Sequence, residues 1–188
     1  KPRQKPHPPI WQMADSLESH ETAAARGIKV MCWGQSLEGT REVWTHYRDV
    51  AGRYGRQLEQ GEDVAMMRPT YVAPTQEEAE RDMREGINAL YDGSLGRARW
   101  GREAFLASYE TLTDEDLSCD WFDFLMRHDA IVVGSPEHVA EKIELFRDEL
   151  ACRHFTIYMA LAGMDYRKML RSLTLFSEKV KPNFETTP

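Results

Sequence analysis

The sequence has few cysteines, no blocks of basic residues and no long apolar run, and each shortage excludes a class of protein. Its cysteines, Cys32, Cys119 and Cys152, show no metal-ligand spacing and cannot all pair, so we interpret them as reduced thiols of a cytoplasmic protein. The basic residues are scattered and the net charge is -7, which argues against a nucleic-acid partner. No apolar run approaches the roughly 20 residues that a membrane span requires, so we expect no membrane partner.

The histidines, the prolines and the chain length bear on the possible metal sites, the N-terminal segment and the number of domains. The 6 histidines are not grouped as ligands, so the sequence predicts no metal site. Residues 1–9 are rich in proline and are expected to form an extended lead-in. The chain opens at Lys1 without a methionine, so we expect the true N-terminus to lie upstream. Its 188 residues are enough for one domain with a sizeable core.

Short apolar runs alternate with helical patterns along most of the chain. The predicted main strands lie at residues 10–14, 28–33, 63–73 and 154–161. The first is expected to be a buried strand, and Pro69 is expected to bend or end the third because it cannot donate to a ladder. Each strand is followed by a helical pattern. Alternating strands and helices predict a parallel sheet with helices packed outside it, either a small open sheet or half of an eight-stranded barrel.

Residues 94–130 interrupt this alternation before the last strand. The segment is long, mixed and rich in aromatic and acidic residues, with weak helical patches at 102–109 and 114–126. A connection of this length with structure of its own is more typical of a functional excursion than of a simple loop. We therefore predict a helical insertion that serves as a lid. The short apolar run 131–133 leads from it into a helix that starts at Ser135.

The turn after the first strand is the strongest candidate for a binding site. Asp15 and Ser16 are good N-cap residues for a helix that begins at Leu17. A helix N-terminus attracts anions, and the hydroxyl groups of Ser16 and Ser19 could add hydrogen bonds to a phosphate. The alternative is that these residues only cap the helix, and taken alone the turn favours that alternative.

Several stretches resemble, in collinear order, the C-terminal half of a luciferase-like, flavin-dependent monooxygenase. They are PPIWQMADSLESHETAAARG, YRDVAGRYGR, RPTYVAPTQEEAERD, VVGSPEHVAEKIELFRDEL and LRSLTLFSEKVKP. The resemblance implies that residues 1–188 form a single partial domain, strands five to eight of a (β/α)8 TIM barrel, with the insertion before the last strand. A whole barrel needs about 250 residues. The first half is therefore expected upstream or on a companion chain, and the half by itself is expected to be inactive.

The resemblance also implies a cofactor and partners. Members of the family bind reduced FMN, or F420 in some branches, and usually receive the reduced cofactor from a separate reductase. The matching positions place Asp15, Ser16 and Ser19 at the flavin phosphate and Trp33 near the isoalloxazine ring. Core packing is an equal alternative for Trp33. Catalytic residues come mostly from the first half and cannot be assigned, and a homodimer is a further alternative.

Three functions follow as hypotheses. The leading one is a monooxygenase that uses reduced FMN and O₂ to oxygenate a small organic substrate. The second is an F420-dependent dehydrogenase or reductase of the same fold, and the third is a non-catalytic flavin-binding protein. Arg68, at the carboxyl end of the third strand, is expected either to contact phosphate or substrate or, as the favoured alternative, to pair with a neighbouring acid.

Overall fold

The chain folds as a parallel sheet with helices between its strands. The computed structural model describes residues 3–94, 99–161 and 163–184. The strands are β1 (Trp11–Met13), β2 (Lys29–Trp33), β3 (Val64–Val72), β4 (Val132–Gly134) and β5 (Phe155–Tyr158). The α-helices are α1 (Leu17–Ala25), α2 (Leu37–Arg53), α3 (Gln76–Ser94), α4 (Arg99–Glu103), α5 (Asp114–Ser118), α6 (Trp121–Arg127), α7 (Pro136–Leu150) and α8 (Tyr166–Leu175), and a π-helical turn (Phe176–Val180) and a 3₁₀ turn (Lys181–Phe184) follow α8. In these ranges no helix is long and apolar enough to cross a membrane.

All strand pairs are parallel, as the alternating pattern predicts. The main ladder runs β1-β2-β3-β5, with Trp33 opposite Met67 and Met67 opposite Thr156. The apolar run before Ser135 forms an additional short strand, β4, which pairs with the last part of β3.

Pro69 marks a change of partner within β3. It lies opposite Tyr158 of β5, whereas the next residue, Thr70, lies opposite Val132 of β4. The strand continues to Val72, so of the two predicted effects of Pro69, a bend or an end of the strand, the end is wrong. A proline is tolerated here because the ladder with β5 ends at the same point.

The two faces of the sheet differ in burial. Val30, Cys32 and Met66 point to one face and are fully buried in a core with side chains from α1, α2 and α7. The alternate residues of β1 and β2 point to the other face, where they are exposed or half-buried. On that face Trp11 is 37% exposed and Met13 is 47% exposed. The sheet therefore has one packed face and one open face.

The sheet is strongly curved, and its open face is concave. Trp11 in β1 and His154 at the start of β5 belong to opposite ends of the ladder, yet their rings meet edge-to-face with centroids 5.4 Å apart. The prediction that the first strand is buried was wrong. Its residues stay largely exposed because β1 is an edge strand of the sheet, although the Trp11 ring touches that of His154.

The insertion packs as a small aromatic unit against α3. Phe105, Trp121, Phe122 and Phe124 are buried in a second core with residues of α3. The second predicted helical patch corresponds to α5 and α6. The first was misplaced, because α4 ends at Glu103 and the chain then turns, with the carboxylate of Glu110 accepting the N–H of Ala107.

Candidate functional site

The carboxyl ends of the main-ladder strands meet at one rim of the sheet. Asp15 lies just beyond β1, Trp33 ends β2 and Tyr158 ends β5. The rings of Trp33 and Tyr158 lie on the concave side and pack edge-to-face, with centroids 5.0 Å apart and an interplanar angle of 68°. The rim thus places a polar turn beside a pair of large aromatic rings.

Ser16 and Ser19 form a reciprocal cap on α1. Ser16 has extended backbone, and its Oγ accepts the N–H of Ser19 at 3.2 Å. The N–H of Ser16 donates to Ser19 Oγ at 3.3 Å, and the two hydroxyl oxygens are 2.6 Å apart. The capping role weighed from the sequence is therefore real. It follows from local chemistry, because each serine satisfies a backbone donor of the other.

Capping leaves donors for an anion at this turn. Ser16 is exposed and Ser19 is half-buried. The N–H groups of Leu17 and Glu18 lie in the first turn, whose donors have no carbonyl partner within a helix. A hydroxyl group can accept one hydrogen bond while it donates another. The Ser19 hydroxyl already donates to the Ser16 carbonyl oxygen at 3.1 Å, so the turn offers first-turn N–H groups, and a hydroxyl donor where one of the serine–serine bonds is exchanged for a bond to the anion.

Asp15 fixes this turn to the neighbouring strand. Its Oδ1 accepts the backbone N–H of Trp33 at 2.6 Å, and the amide of Gln35 donates to its carbonyl oxygen at 2.7 Å. Desolvation of the carboxyl group against the rim raises the pKa of Asp15, although the N–H of Trp33 and the charge of Arg68 act in the opposite direction. The structure thus brings two predicted site residues, Asp15 and Trp33, into direct contact.

Trp33 is half-buried and held through its indole nitrogen. Its Nε1 donates to the hydroxyl oxygen of Tyr91 at 3.0 Å. The sequence analysis did not single out Tyr91, because an apolar stripe along α3 that ends at Leu90 fits the helical spacing equally well. Leu90 is 39% exposed and Tyr91 is 3% exposed. The spacing of four residues from Ile87 was the signal that could have found it.

Arg68 has neither of its predicted roles in the described part of the chain. It is fully buried on the helix-covered face. Its Nη2 donates to the carbonyl oxygen of Gln35 and to Thr40 Oγ1, both at 2.8 Å, and its Nε donates to the carbonyl oxygen of Asp129 at 3.3 Å. The guanidinium therefore joins loops behind the rim and points away from the concave face.

The fold and this rim define a class of protein. Parallel strands that curve around an open concave face, with helices outside and polar turns at the carboxyl ends, are the arrangement of a (β/α)8-barrel enzyme, whose site lies at that end. A family model described as luciferase-like monooxygenase matches residues 1–152. The chain belongs to this family, and the resemblance seen in the sequence is confirmed.

Individual relatives agree with this assignment. The oxygenase component of a flavin-dependent trigonelline monooxygenase from Acinetobacter baylyi (strain ATCC 33305 / BD413 / ADP1) is 25% identical over 187 residues, which cover 97% of this chain and 50% of the relative. The oxygenating constituent of 3,6-diketocamphane monooxygenase from the CAM plasmid of Pseudomonas putida, solved with FMN, superposes with a TM-score of 0.70 at 22% identity. That superposition covers 95% of this chain and 49% of the other.

An F420-dependent protein has the same fold. Coenzyme F420-dependent tetrahydromethanopterin reductase from Methanopyrus kandleri gives a TM-score of 0.62 at 14% identity, over 94% of this chain and 51% of that one. The chain thus spans about half the length of each of these proteins. Its fold is the C-terminal half of a (β/α)8 barrel, as predicted.

Proposed function

We propose that this chain is the second half of a flavin-dependent monooxygenase that uses reduced FMN and O₂ to oxygenate a small organic substrate. Membership of the luciferase-like family supports the reaction class. The observation that carries the proposal is the α1 N-terminus at Ser16 and Ser19, which follows directly on Asp15, the residue bonded to Trp33 at the carboxyl rim. It provides donors for a phosphate next to an aromatic surface for a ring.

In this proposal the turn after β1 holds the FMN phosphate. The hydroxyl groups of Ser16 and Ser19 and the first-turn N–H groups donate to its oxygens, and the partial positive charge of the helix end favours the dianion. In this proposal Asp15 does not contact the phosphate itself. Its carboxylate already accepts the N–H of Trp33, so it holds the turn in place against β2.

The flavin ring is proposed to lie over the concave face near Trp33. The indole and the half-buried Met31 and Met67 beside it form an apolar wall that excludes water from the ring. The bound flavin supplies the reactivity towards O₂, whereas the protein supplies binding, orientation and exclusion of water. Residues that act directly on the substrate are expected mainly on the first half.

The open face and edges support a second half as partner. In the part of the chain that the structure describes, β1 and β5 each have a ladder neighbour on one side only, and unpaired strand edges are normally covered. We propose that the first half of the barrel, on the same or a companion polypeptide, pairs with both edges. A separate reductase is the proposed source of reduced flavin, because the Acinetobacter relative is the oxygenase component of its system.

The alternative cofactor is F420. The structural likeness to an F420-dependent reductase favours it as a second candidate. In that case the protein would be a dehydrogenase or reductase without O₂ chemistry. Anaerobic titrations with reduced FMN and reduced F420, followed by exposure to O₂, separate the two. A complete barrel that binds neither cofactor would contradict both.

Reduced FMN binding to the complete barrel tests the phosphate site. We expect Ser16→Ala/Ser19→Ala to weaken binding by about tenfold or more, because each hydrogen bond to a charged group contributes about 1.5–3 kcal/mol. Ser118→Ala is the matched control, since Ser118 is an exposed serine on the insertion. Equal affinities for the wild type, the control and the double variant would contradict the proposal.

A further inference from the structure

Trp33 is held at the rim by residues outside its own strand. Its backbone N–H donates to Asp15 and its indole Nε1 donates to the hydroxyl oxygen of Tyr91 at 3.0 Å. The ring of Tyr158 packs against its edge. The indole is half-buried, so its orientation on the concave side depends on these few contacts. The Tyr91 bond is the one that fixes the indole nitrogen.

Tyr91 is itself immobilised by the insertion. Its ring stacks on Trp121 with centroids 5.4 Å apart and meets the edge of Phe105 at 5.6 Å. The guanidinium of Arg102 lies 4.6 Å above the Trp121 ring. Burial raises the pKa of Tyr91 to about 12, so its hydroxyl stays protonated and neutral at physiological pH. The Tyr91 ring is therefore held by packing contacts that do not involve Trp33.

The insertion is also anchored to the turn that follows Trp33. The N–H of Ser36 donates to the carbonyl oxygen of Phe105 at 2.7 Å, and the Ser36 hydroxyl donates to Glu110 Oε2 at 2.7 Å. Close packing at Gly34 agrees with this anchoring, because a Cβ there would lie 3.4 Å from the Phe105 ring and 3.5 Å from the Tyr91 hydroxyl. The described part of the insertion and the β2–α2 turn therefore form one packed unit.

From this geometry we propose that Tyr91 is a positioning residue, and that the insertion sets the orientation of Trp33 through it. The proposal rests on the proposed function, because it assigns the indole to the flavin ring. It gives the insertion a role as a fixed wall. A substitution in the core of the insertion would then alter how the Trp33 indole is held and leave the turn at Ser16 unchanged.

The indole N–H of Trp33 gives a readout that needs no cofactor. In ¹H–¹⁵N NMR spectra of the complete barrel, Trp33→Phe identifies the Trp33 indole signal. Tyr91→Phe keeps the stacked ring and removes only the acceptor oxygen. We expect it to shift that signal and to speed its hydrogen exchange by about fivefold or more, since one net hydrogen bond is worth roughly 1 kcal/mol. Tyr109→Phe is the control, because Tyr109 is an exposed insertion residue that bonds Glu38.

Reduced FMN binding then tests the connection to the cofactor in a double-mutant cycle. We expect Tyr91→Phe to weaken binding about threefold to tenfold in the wild-type background and to have no further effect in Trp33→Phe. An unchanged Trp33 indole signal in Tyr91→Phe would overturn the proposal, as would an equal loss of affinity in both backgrounds. If the wild type binds no FMN, the proposed function fails, whereas the indole measurement still decides the positioning role.

Discussion

Arg68 shows how a buried charge can be structural in this fold. Its guanidinium is fully buried and donates to the carbonyl oxygens of Gln35 and Asp129 and to the hydroxyl of Thr40. A planar fork of donors fits several acceptors at once, which an ammonium group cannot reproduce. The side chain thereby joins the segment after β2 to the segment before β4. Its role in the protein is to hold those two segments behind the rim.

Arg68→Lys is expected to lower the free energy of unfolding by about 2–4 kcal/mol. The variant loses more than one charge-assisted hydrogen bond and leaves buried carbonyl groups without donors. Urea unfolding measures the change, with Arg81→Lys as control because the Arg81 side chain is 70% exposed. Equal stability of the Arg68 variant and the wild type would show that the buried guanidinium group does not contribute to stability.

His20 links the stability of α1 to pH. It is fully buried, its Nδ1 is 2.9 Å from the carbonyl oxygen of Ser16, and its Nε2 has no partner among the described residues. Burial, the largest cause, lowers the pKa of His20 below its ordinary value of 6.5. Below about pH 6.5 the unfolded chain therefore takes up a proton that the folded chain does not. The stability present above that pH is lost progressively as pH falls.

His20→Gln is expected to flatten this dependence. Between pH 7 and pH 5 the wild type should lose more free energy of unfolding than the variant, because only the wild type carries the buried imidazole. Chemical unfolding at a series of pH values measures both slopes. His7→Gln is the control, since His7 is exposed. Parallel slopes for wild type and His20→Gln would rule out this residue as the source.

Residue roles could be predicted where they depend on local chemistry. The cap at Ser16 and Ser19 was readable because it needs only residues three apart. Tyr91 was missed because spacings of three and four both fit one face of a helix, and only the partner decides which residue is buried. Arg68 was misjudged because its acceptors are carbonyl groups, which carry no side-chain signal in a sequence.

At the scale of elements, the insertion is tied to α3 by a branched ion pair. Arg84 donates to Asp120 and to Asp123 of α6, each at 2.7 Å, and its guanidinium lies 4.5 Å above the Phe122 ring. Asn88 donates to the same Asp120 carboxylate. Because Asp120 also caps α6, these contacts hold the start of that helix against α3.

Arg84→Gln is expected to loosen α6 without disturbing the sheet. The variant loses the ion pairs of Arg84 with Asp120, the cap of α6, and with Asp123. Amide hydrogen exchange in Trp121–Arg127 should therefore rise severalfold. Exchange in β2 and β3 should stay as in the wild type. Hydrogen exchange followed by mass spectrometry measures both. Unaltered protection of α6 would show that its aromatic packing alone holds it.

The parallel direction of the strands was predictable, whereas the change of partner within β3 was not. Alternating strands and helices require a parallel sheet, which the structure has. The run at 131–133 was too short to separate a strand from a helix lead-in by pattern alone. Its pairing depends on β3 changing partner after Pro69, and no local signal in the sequence announces that change.

At the scale of the whole molecule, the exposed apolar residues of β1 support the proposal that a second half of the barrel covers this face. Trp11 and Met13 are apolar and exposed on the concave face, and Ile10 before them is 53% exposed. Apolar side chains on an edge strand without cover are unusual for an isolated domain. The chain covers about half of its relatives, so the other half of the barrel is the proposed cover.

Met13→Lys is expected to block completion of the barrel. A lysine at this position would place a charge in the interior of the closed barrel, where it lacks a partner and is strongly unfavourable. Mixing this chain with the first half and measuring sedimentation should show association for the wild type and a loss of about tenfold or more for the variant. Glu21→Lys, an exposed change on α1, is the control. Full association of Met13→Lys would argue against closure over this face.

The comparison of FMN with riboflavin tests the central claim most directly, because these ligands differ by the phosphate alone. Ser16→Asp keeps a good N-cap but places a carboxylate at the turn where the phosphate is proposed to bind. For the reduced ligands, the wild-type complete barrel should bind FMN at least about tenfold more tightly than riboflavin. Ser16→Asp should remove most of that preference and leave riboflavin affinity unchanged. Equal affinity of the wild type for both ligands, or an undiminished preference in Ser16→Asp, would contradict the account.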